Sequence, residues 1–325
     1  MVSLRLAKIN IVTAVSYFVR LTCLLAALVC VQKAALAAAP RPEIWFAPMD
    51  WFVRPVVNYG GSTDYMALFH SPEANSLLSR ISVFKIYSQF ANWGSDDDLK
   101  RIFAELKRRH IALAMEAGML TANEQCGRGV EGYGGQDAVK RAEKIRRLGG
   151  ELAYIAMDEL LGAAYKCHLD YAETARNAAR NVAAVKEVFP RIGIGAIETQ
   201  GTTPQAAQKW AEAFRAATGQ PFAFFHIDIG WKLNWHGPVE NLAAAIHRLN
   251  IPLGIICNGT DDAPTDEAWI AGAQEHCRAI ESDPKIRPDQ LVFQSWVRHP
   301  THIFPASDPG TFSHLLEDYF RTHPR

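Results

Sequence analysis

The chain has 325 residues, with 34 lysines and arginines against 34 aspartates and glutamates, 49% hydrophobic residues and six cysteines. Balanced charge gives no electrostatic footprint for nucleic acid or an anionic membrane. The length left after an N-terminal export segment is long for one sandwich and comfortable for one (β/α)8 barrel.

That export segment is expected over residues 1–39. Arg5 and Lys8 precede an apolar core at Leu21–Val31, and Ala35-Leu36-Ala37 and Ala37-Ala38-Ala39 both fit an A-x-A cleavage site. An uncleaved membrane anchor is the alternative, although Arg20 interrupts the apolar run. Cleavage after Ala39 removes Arg5, Lys8, Arg20 and Lys33 and no acid, so 30 basic side chains face 34 acidic ones and the remaining 286 residues carry −4. No second apolar run is long enough to span a bilayer, so no membrane contact is expected beyond this segment, and the location is periplasmic or secreted. Cys126, Cys167, Cys257 and Cys277 remain. An exported protein permits disulfides. Cys126 and Cys167 follow two successive strands and are expected to pair; Cys257 and Cys277 are expected as buried thiols. No zinc spacing is present.

In chain order, Ile44 to Trp51 predicts a first strand carrying Asp50. A loop through Gly60-Gly61-Ser62 leads to a short helix at Pro72. Ile81–Tyr87 is the second strand. Ser95 caps a helix with Asp96, Asp97 and Asp98 at its start and Lys107, Arg108 and Arg109 at its end, a polarity that suits the helix dipole. Ile111–Glu116 is the third strand. The glycine-rich loop Gly127–Gly135 reads as flexible, and a basic helix follows from Asp137 to Leu148. Glu151–Leu160 is an apolar strand ending on Asp158 and Glu159, followed by a helix over Tyr171–Phe189. Ile192–Glu198 is strand five, and Thr203-Pro204 opens a helix to Gly219. Phe222–Asp228 is strand six, and Pro238 starts a helix to Asn250. Pro252–Asn258 is strand seven, with Thr265 capping the next helix. Leu291–Trp296 is strand eight, and Gly310–Thr322 closes the chain as a helix. Eight strands that start roughly thirty to forty residues apart, with helices between them, predict a single-domain (β/α)8 TIM barrel over 40–325; a doubly wound open sheet is the runner-up.

Such a barrel places its site at the C-terminal strand ends. Those ends carry Asp50, Tyr87, Glu116, Asp158, Glu159, Glu198, Asp228, Asn258 and Gln294. One terminal acid is commonly a helix cap, but acids from five strands on one rim point to shared chemistry. Trp51, Trp93, Trp231, Trp235 and Trp296 fall at or just past strand ends, where indoles stack on the apolar faces of sugar rings while carboxylates bind hydroxyls.

With Met157-Asp158-Glu159 ending strand four and Phe293-Gln294-Ser295-Trp296 ending strand eight, the chain resembles the barrel glycoside hydrolases. Many of these place an acid at the fourth strand, some as Asn-Glu, and a Trp at the eighth. The resemblance implies Glu159 as proton donor, with Asp158 in the place of the Asn. The chain departs from the pattern at strand seven, which ends on Cys257-Asn258-Gly259 rather than a nucleophilic Glu. Glycoside hydrolysis needs one protonated and one ionised carboxyl group. The expected pair is Glu159 with Glu198, with Asp228 as the substitute for Glu198 and Asp158 orienting Glu159 or raising its pKa. Because side chains alternate along a strand, Asp158 and Glu159 cannot both point fully inward. Asp50, Tyr87, Glu116, Trp231, Asn258, Gln294 and Trp296 are expected to bind substrate.

The expected partner is a carbohydrate acted on by a monomer, with no cofactor and no metal. Two other functions compete. A metal-dependent sugar isomerase, epimerase or lyase would use His226, Asp228, Glu159 and Glu198; a non-catalytic barrel would bind glycan without turnover.

Overall fold

The computed structural model describes residues 41–50, 62–124 and 126–324. The barrel lies within the compact unit Pro42–Arg325. The expected export segment and Trp51 lie outside the described residues. The eight strands are β1 Glu43–Ala47, β2 Val83–Tyr87, β3 Ala112–Ala117, β4 Leu152–Asp158, β5 Gly193–Thr199, β6 Phe225–Asp228, β7 Leu253–Cys257 and β8 Gln290–Gln294. They form one closed parallel barrel in sequence order, and β8 returns to β1 with Glu43 opposite Gln290 and Ala47 opposite Gln294.

Parallel neighbours need crossover connections, which the helices supply. These are α1 Ala74–Leu78, α2 Ser88–Trp93, α3 Asp96–Arg108, α4 Gly135–Arg147, α5 Leu160–Lys166, α6 Tyr171–Val188, α7 Pro204–Thr218, α8 His236–Arg248, α9 Asp266–Ser282 and α10 Phe312–Thr322. Local chemistry sets their ends. The Ser95 hydroxyl accepts the Asp98 N–H at 3.1 Å at the start of α3, and Thr203 and Thr265 cap α7 and α9 in the same way. Gly219 ends α7 at φ 75°, a left-handed conformation that costs a glycine little. Strand β1 is shorter than predicted, because Pro48 cannot donate to a ladder; Asp50 sits beyond it in an isolated bridge to Ser62. Among the described residues, no helix is long and apolar enough to cross a membrane.

Two apolar layers settle which way each strand residue faces. The barrel lumen is filled by one residue from each strand or its lead-in, from Trp45 on β1 to Val292 on β8, with Ala156, Ile197 and Phe224 among them. The alternate residues pack outward against the helices. Cys257 and Cys277 both belong to that outer layer. Contrary to the expectation of two separate thiols they are paired, with Cα atoms 5.6 Å apart, because the outward face of β7 meets α9 there. Cys126 and Cys167 pair as expected, with Cα atoms 5.7 Å apart.

Candidate active site

Counting by twos from the lumen residues places each candidate side chain. Val83 leads to Lys85 and Tyr87, Ala114 to Glu116, Ala156 to Asp158, and Phe224 to His226 and Asp228. Ile256 leads to Asn258, and Val292 to Gln294 and Trp296. All of these lie on the lumen side. Glu198 follows Ile197 and therefore falls on the outer side, one step from Ala196, which packs in the outer layer. There the Glu198 carboxylate is 2% exposed and accepts the Leu161 N–H at 3.2 Å. Glu198 is close enough for the charge of Glu159 to act on it, but it meets Glu159 from the outer side of β5, at the start of α5, rather than across the lumen. The apolar residues on both faces of β5 had left its facing open.

The Asp158–Glu159 question is resolved by the backbone. Asp158 ends β4 facing inward, and Glu159 takes a left-handed conformation, φ 45° and ψ 46°, as the residue before α5. The left-handed residue breaks the strand alternation, so Glu159 reaches the same rim as Asp158. Such a conformation costs a non-glycine residue of order 1 kcal/mol or more, and strain of this kind concentrates at functional sites. The loop after β3 closes over this corner. Leu120 bridges Tyr133, and the Cys126–Cys167 bond ties the loop to the end of α5. Gly132, at φ 83°, lies where a Cβ would sit 2.6 Å from that of Ala163 and 3.2 Å from the Asp158 and Glu159 carbonyls. The loop read as flexible is thus pinned, and it delivers Glu131 to the rim.

Lys85 is the residue that the reading of strand ends missed. It is 1% exposed, makes a short ion pair with Glu116 and donates to Gln294 Oε1 at 2.5 Å; Gln294 Nε2 donates to Glu116 at 3.0 Å. The signal available in the sequence was a lone cation inside a strand buried on both faces, which needs a partner. Tyr87 donates its hydroxyl to the Ser295 carbonyl at 2.7 Å; burial, then the charge of Glu116, raises that hydroxyl well above its usual range, with Asp50 a smaller contributor.

The carboxylates above this tier are held high. Burial, then the charge of Glu131, pushes Glu159 up to about 7. Burial, then Glu159 and Glu116, pushes Asp228 up to about 7, against the lowering pull of Lys85. Asp158 is raised well above the usual range by burial and by Glu116, Glu131 and Glu159. Glu198 is raised by its burial, opposed by the Leu161 N–H. His226, one tier below Asp228, is driven the other way, to about 3, by burial and Lys85. Its Nε2 is bonded to Gln290 Oε1 at 2.7 Å, and its ring stacks on Phe224. It belongs to the floor of the barrel rather than to a metal set with Glu159.

A cleft of about 530 Å³ opens above β5 to β8, lined by Thr199, Gln200, Asp228, Trp231, Asn258 and Trp296. The Trp231 indole donates to Asn258 Oδ1 at 2.6 Å and stacks on His276 at 4.0 Å, with the rings 7° from parallel. Gln200 fixes the same loop by accepting the Gly230 N–H at 2.8 Å. Trp93 lies away on the end of α2, 47% exposed. A larger hollow of about 1160 Å³ sits at the opposite, N-terminal end of β3 to β5, but the lumen carboxylates lie at the C-terminal ends, where barrel enzymes place their chemistry.

No family model matches the chain, and no curated protein matches it. Solved barrels do. A GH10 endoxylanase from a sugarcane soil metagenome is 12% identical at a TM-score of 0.48, over 85% of this chain and 96% of that one. The GH53 catalytic domain of Ignisphaera aggregans is 11% identical at 0.49, over 80% and 86%. The aldolase QR15 is 12% identical at 0.45, over 87% and 95%. At this distance the common feature is the TIM barrel itself; these neighbours are enzymes of more than one chemistry.

Proposed function

We propose that the barrel hydrolyses glycosidic bonds of a poly- or oligosaccharide, with Glu159 as proton donor and Asp228 as its ionised partner. The observation that carries this reading is the pair of acids on one rim, both held near 7, beside a cleft walled by Trp231 and Trp296. A carboxyl group that stays protonated near neutrality can give its proton to the glycosidic oxygen as the bond to the anomeric carbon breaks. The ionised partner stabilises the developing cation, and water adds at that carbon, returning one proton to the site. Asp228 takes the place expected for Glu198, because Asp228 faces the lumen and Glu198 faces the helices. Lys85 pairs with Glu116 and, by its charge, opposes the rise of Asp158 and Asp228. Tyr87, Asn258, Gln294 and Asp50 line the floor and wall against which a sugar would rest. The reaction needs no cofactor. The same reading takes residues 1–39 as an export signal and the barrel as a monomer acting outside the cytoplasm.

A carbohydrate-binding barrel without turnover is the second reading, favoured by the end of β7, where Asn258 is committed to Trp231 and no acid stands. A screen against bacterial and plant polysaccharides separates the two. The wild type is expected to release reducing ends, with and without EDTA, and Glu159→Gln and Asp228→Asn to release them at least about a hundredfold more slowly. Binding of a glycan without any release would favour the binder, and kcat abolished by EDTA would favour the metal-dependent sugar enzyme.

A further inference from the structure

Beside the cleft wall, on the outer ring of helices, three ligating side chains converge. His236 and Glu240 stand four residues apart and so share one face of α8, and Asp283 caps the end of α9. One ligand atom from each lies within 4.8 Å of the others. His236 Nδ1 is 3.3 Å from Glu240 Oε1, and its Nε2 is 3.1 Å from Asp283 Oδ2. Proximity has not produced a hydrogen bond to Asp283 Oδ2, which is buried without a hydrogen-bond partner among the described residues. Asp283 is 8% exposed and is fixed from its other oxygen, which accepts the Lys285 N–H at 2.8 Å. A buried carboxylate oxygen aimed at an imidazole, and met by no donor, costs stability unless a cation joins it.

We propose that His236, Glu240 and Asp283 bind one divalent transition-metal ion of the zinc class. One imidazole nitrogen and two carboxylate oxygens form a borderline donor set that suits zinc better than magnesium or calcium. The His236 side chain is 57% exposed, so its ring is free to turn one nitrogen toward both oxygens, to the separation of about 3.4 Å that a shared tetrahedral ion sets. Lys285 holds Glu240 by Oε2 at 2.9 Å and leaves Oε1 for the ion. The ion would brace the cleft. His236 packs against Trp235 with ring centres 5.1 Å apart, Trp235 packs against Trp231 at 5.2 Å, and Trp231 lines the cleft. This site does not depend on the hydrolytic reading.

The test uses the full-length protein without a polyhistidine tag, stripped with EDTA and dialysed. Zn²⁺ is titrated by calorimetry and Co²⁺ by its visible absorption, for wild type, His236→Ala and Glu240→Gln. The wild type is expected to take up one equivalent and to melt a few degrees higher (~3–8 °C) with the ion bound. His236→Ala, a change at an exposed position whose folding circular dichroism checks, is expected to weaken binding at least about tenfold and abolish the rise in melting temperature. Glu240→Gln is expected to weaken binding as well. The proposal is overturned if the wild type binds no ion at about 100 µM. It is equally overturned if His236→Ala binds as tightly as the wild type, because the ion then sits elsewhere.

Discussion

The barrel lumen holds two polar tiers, one above the other. In the lower tier His226 donates to Gln290, and Gln290 and Trp45 both donate to Glu43, at 3.0 and 2.9 Å. Gly254 leaves the space, since a Cβ there would stand 2.2 Å from the His226 ring. His226 stays neutral at about 3: with Nε2–H donating, Nδ1 is a bare acceptor that the apolar rings tolerate. In the upper tier Lys85, Glu116 and Gln294 satisfy one another, but Asp158, Glu159 and Asp228 stand over them with raised pKa values. The lower tier is polar chemistry used to close a core. The upper tier keeps unspent electrostatic strain, which is the condition of a site prepared for a substrate.

The contrast is sharpest in catalysis. Glu159→Gln is expected to lower kcat by about 10²- to 10⁴-fold, the worth of a general acid, with little change in melting temperature, and kinetics beside a thermal melt checks both. Removing the cation of the upper tier should do the opposite. Lys85→Met leaves Glu116 buried without a cation, with only the Gln294 amide to bond it, and is expected to destabilise by about 3–5 kcal/mol, read by denaturant unfolding. If the variant folds, its activity profile should move to higher pH, because Lys85 lowers Asp158 and Asp228.

Two smaller effects concern what surrounds the tiers. Cys126→Ser opens a disulfide that spans 41 residues and is expected to cost about 2–4 kcal/mol. It should also raise KM by loosening the loop that carries Glu131. The buried Glu198 has a raised carboxyl, so its contribution to stability is full below its unfolded pKa and is lost as pH rises through the folded one. Glu198→Gln should therefore stabilise by about 1–3 kcal/mol at pH 8 and by little at pH 4, as melts at the two pH values would show.

The strand rhythm, the Ser95 and Thr203 caps and the Cys126–Cys167 pair were legible in the sequence, because each depends on local composition or on order along the chain. What strand patterning could not supply was facing. β5 reads Gly-Ile-Gly-Ala-Ile-Glu-Thr, apolar on both sides, so nothing local says that Ile197 rather than Glu198 turns inward. The Cys257–Cys277 pair failed for the same reason, since it needs the outward face of β7 to meet a particular face of α9. Glu159 reaches the rim through a left-handed backbone that no residue type announced. Glu131 arrives on a loop whose anchoring depends on a distant cysteine.

The pH dependence of kcat/KM on a cleaved glycan, for wild type and Glu159→Gln, tests the central claim most directly. The account predicts a narrow bell with both limbs within about one pH unit of neutrality, from Glu159 and Asp228 near 7, and a residual activity in Glu159→Gln that has lost the alkaline limb. A single limb near the ordinary carboxylate range, or a bell unchanged in Glu159→Gln, would contradict it.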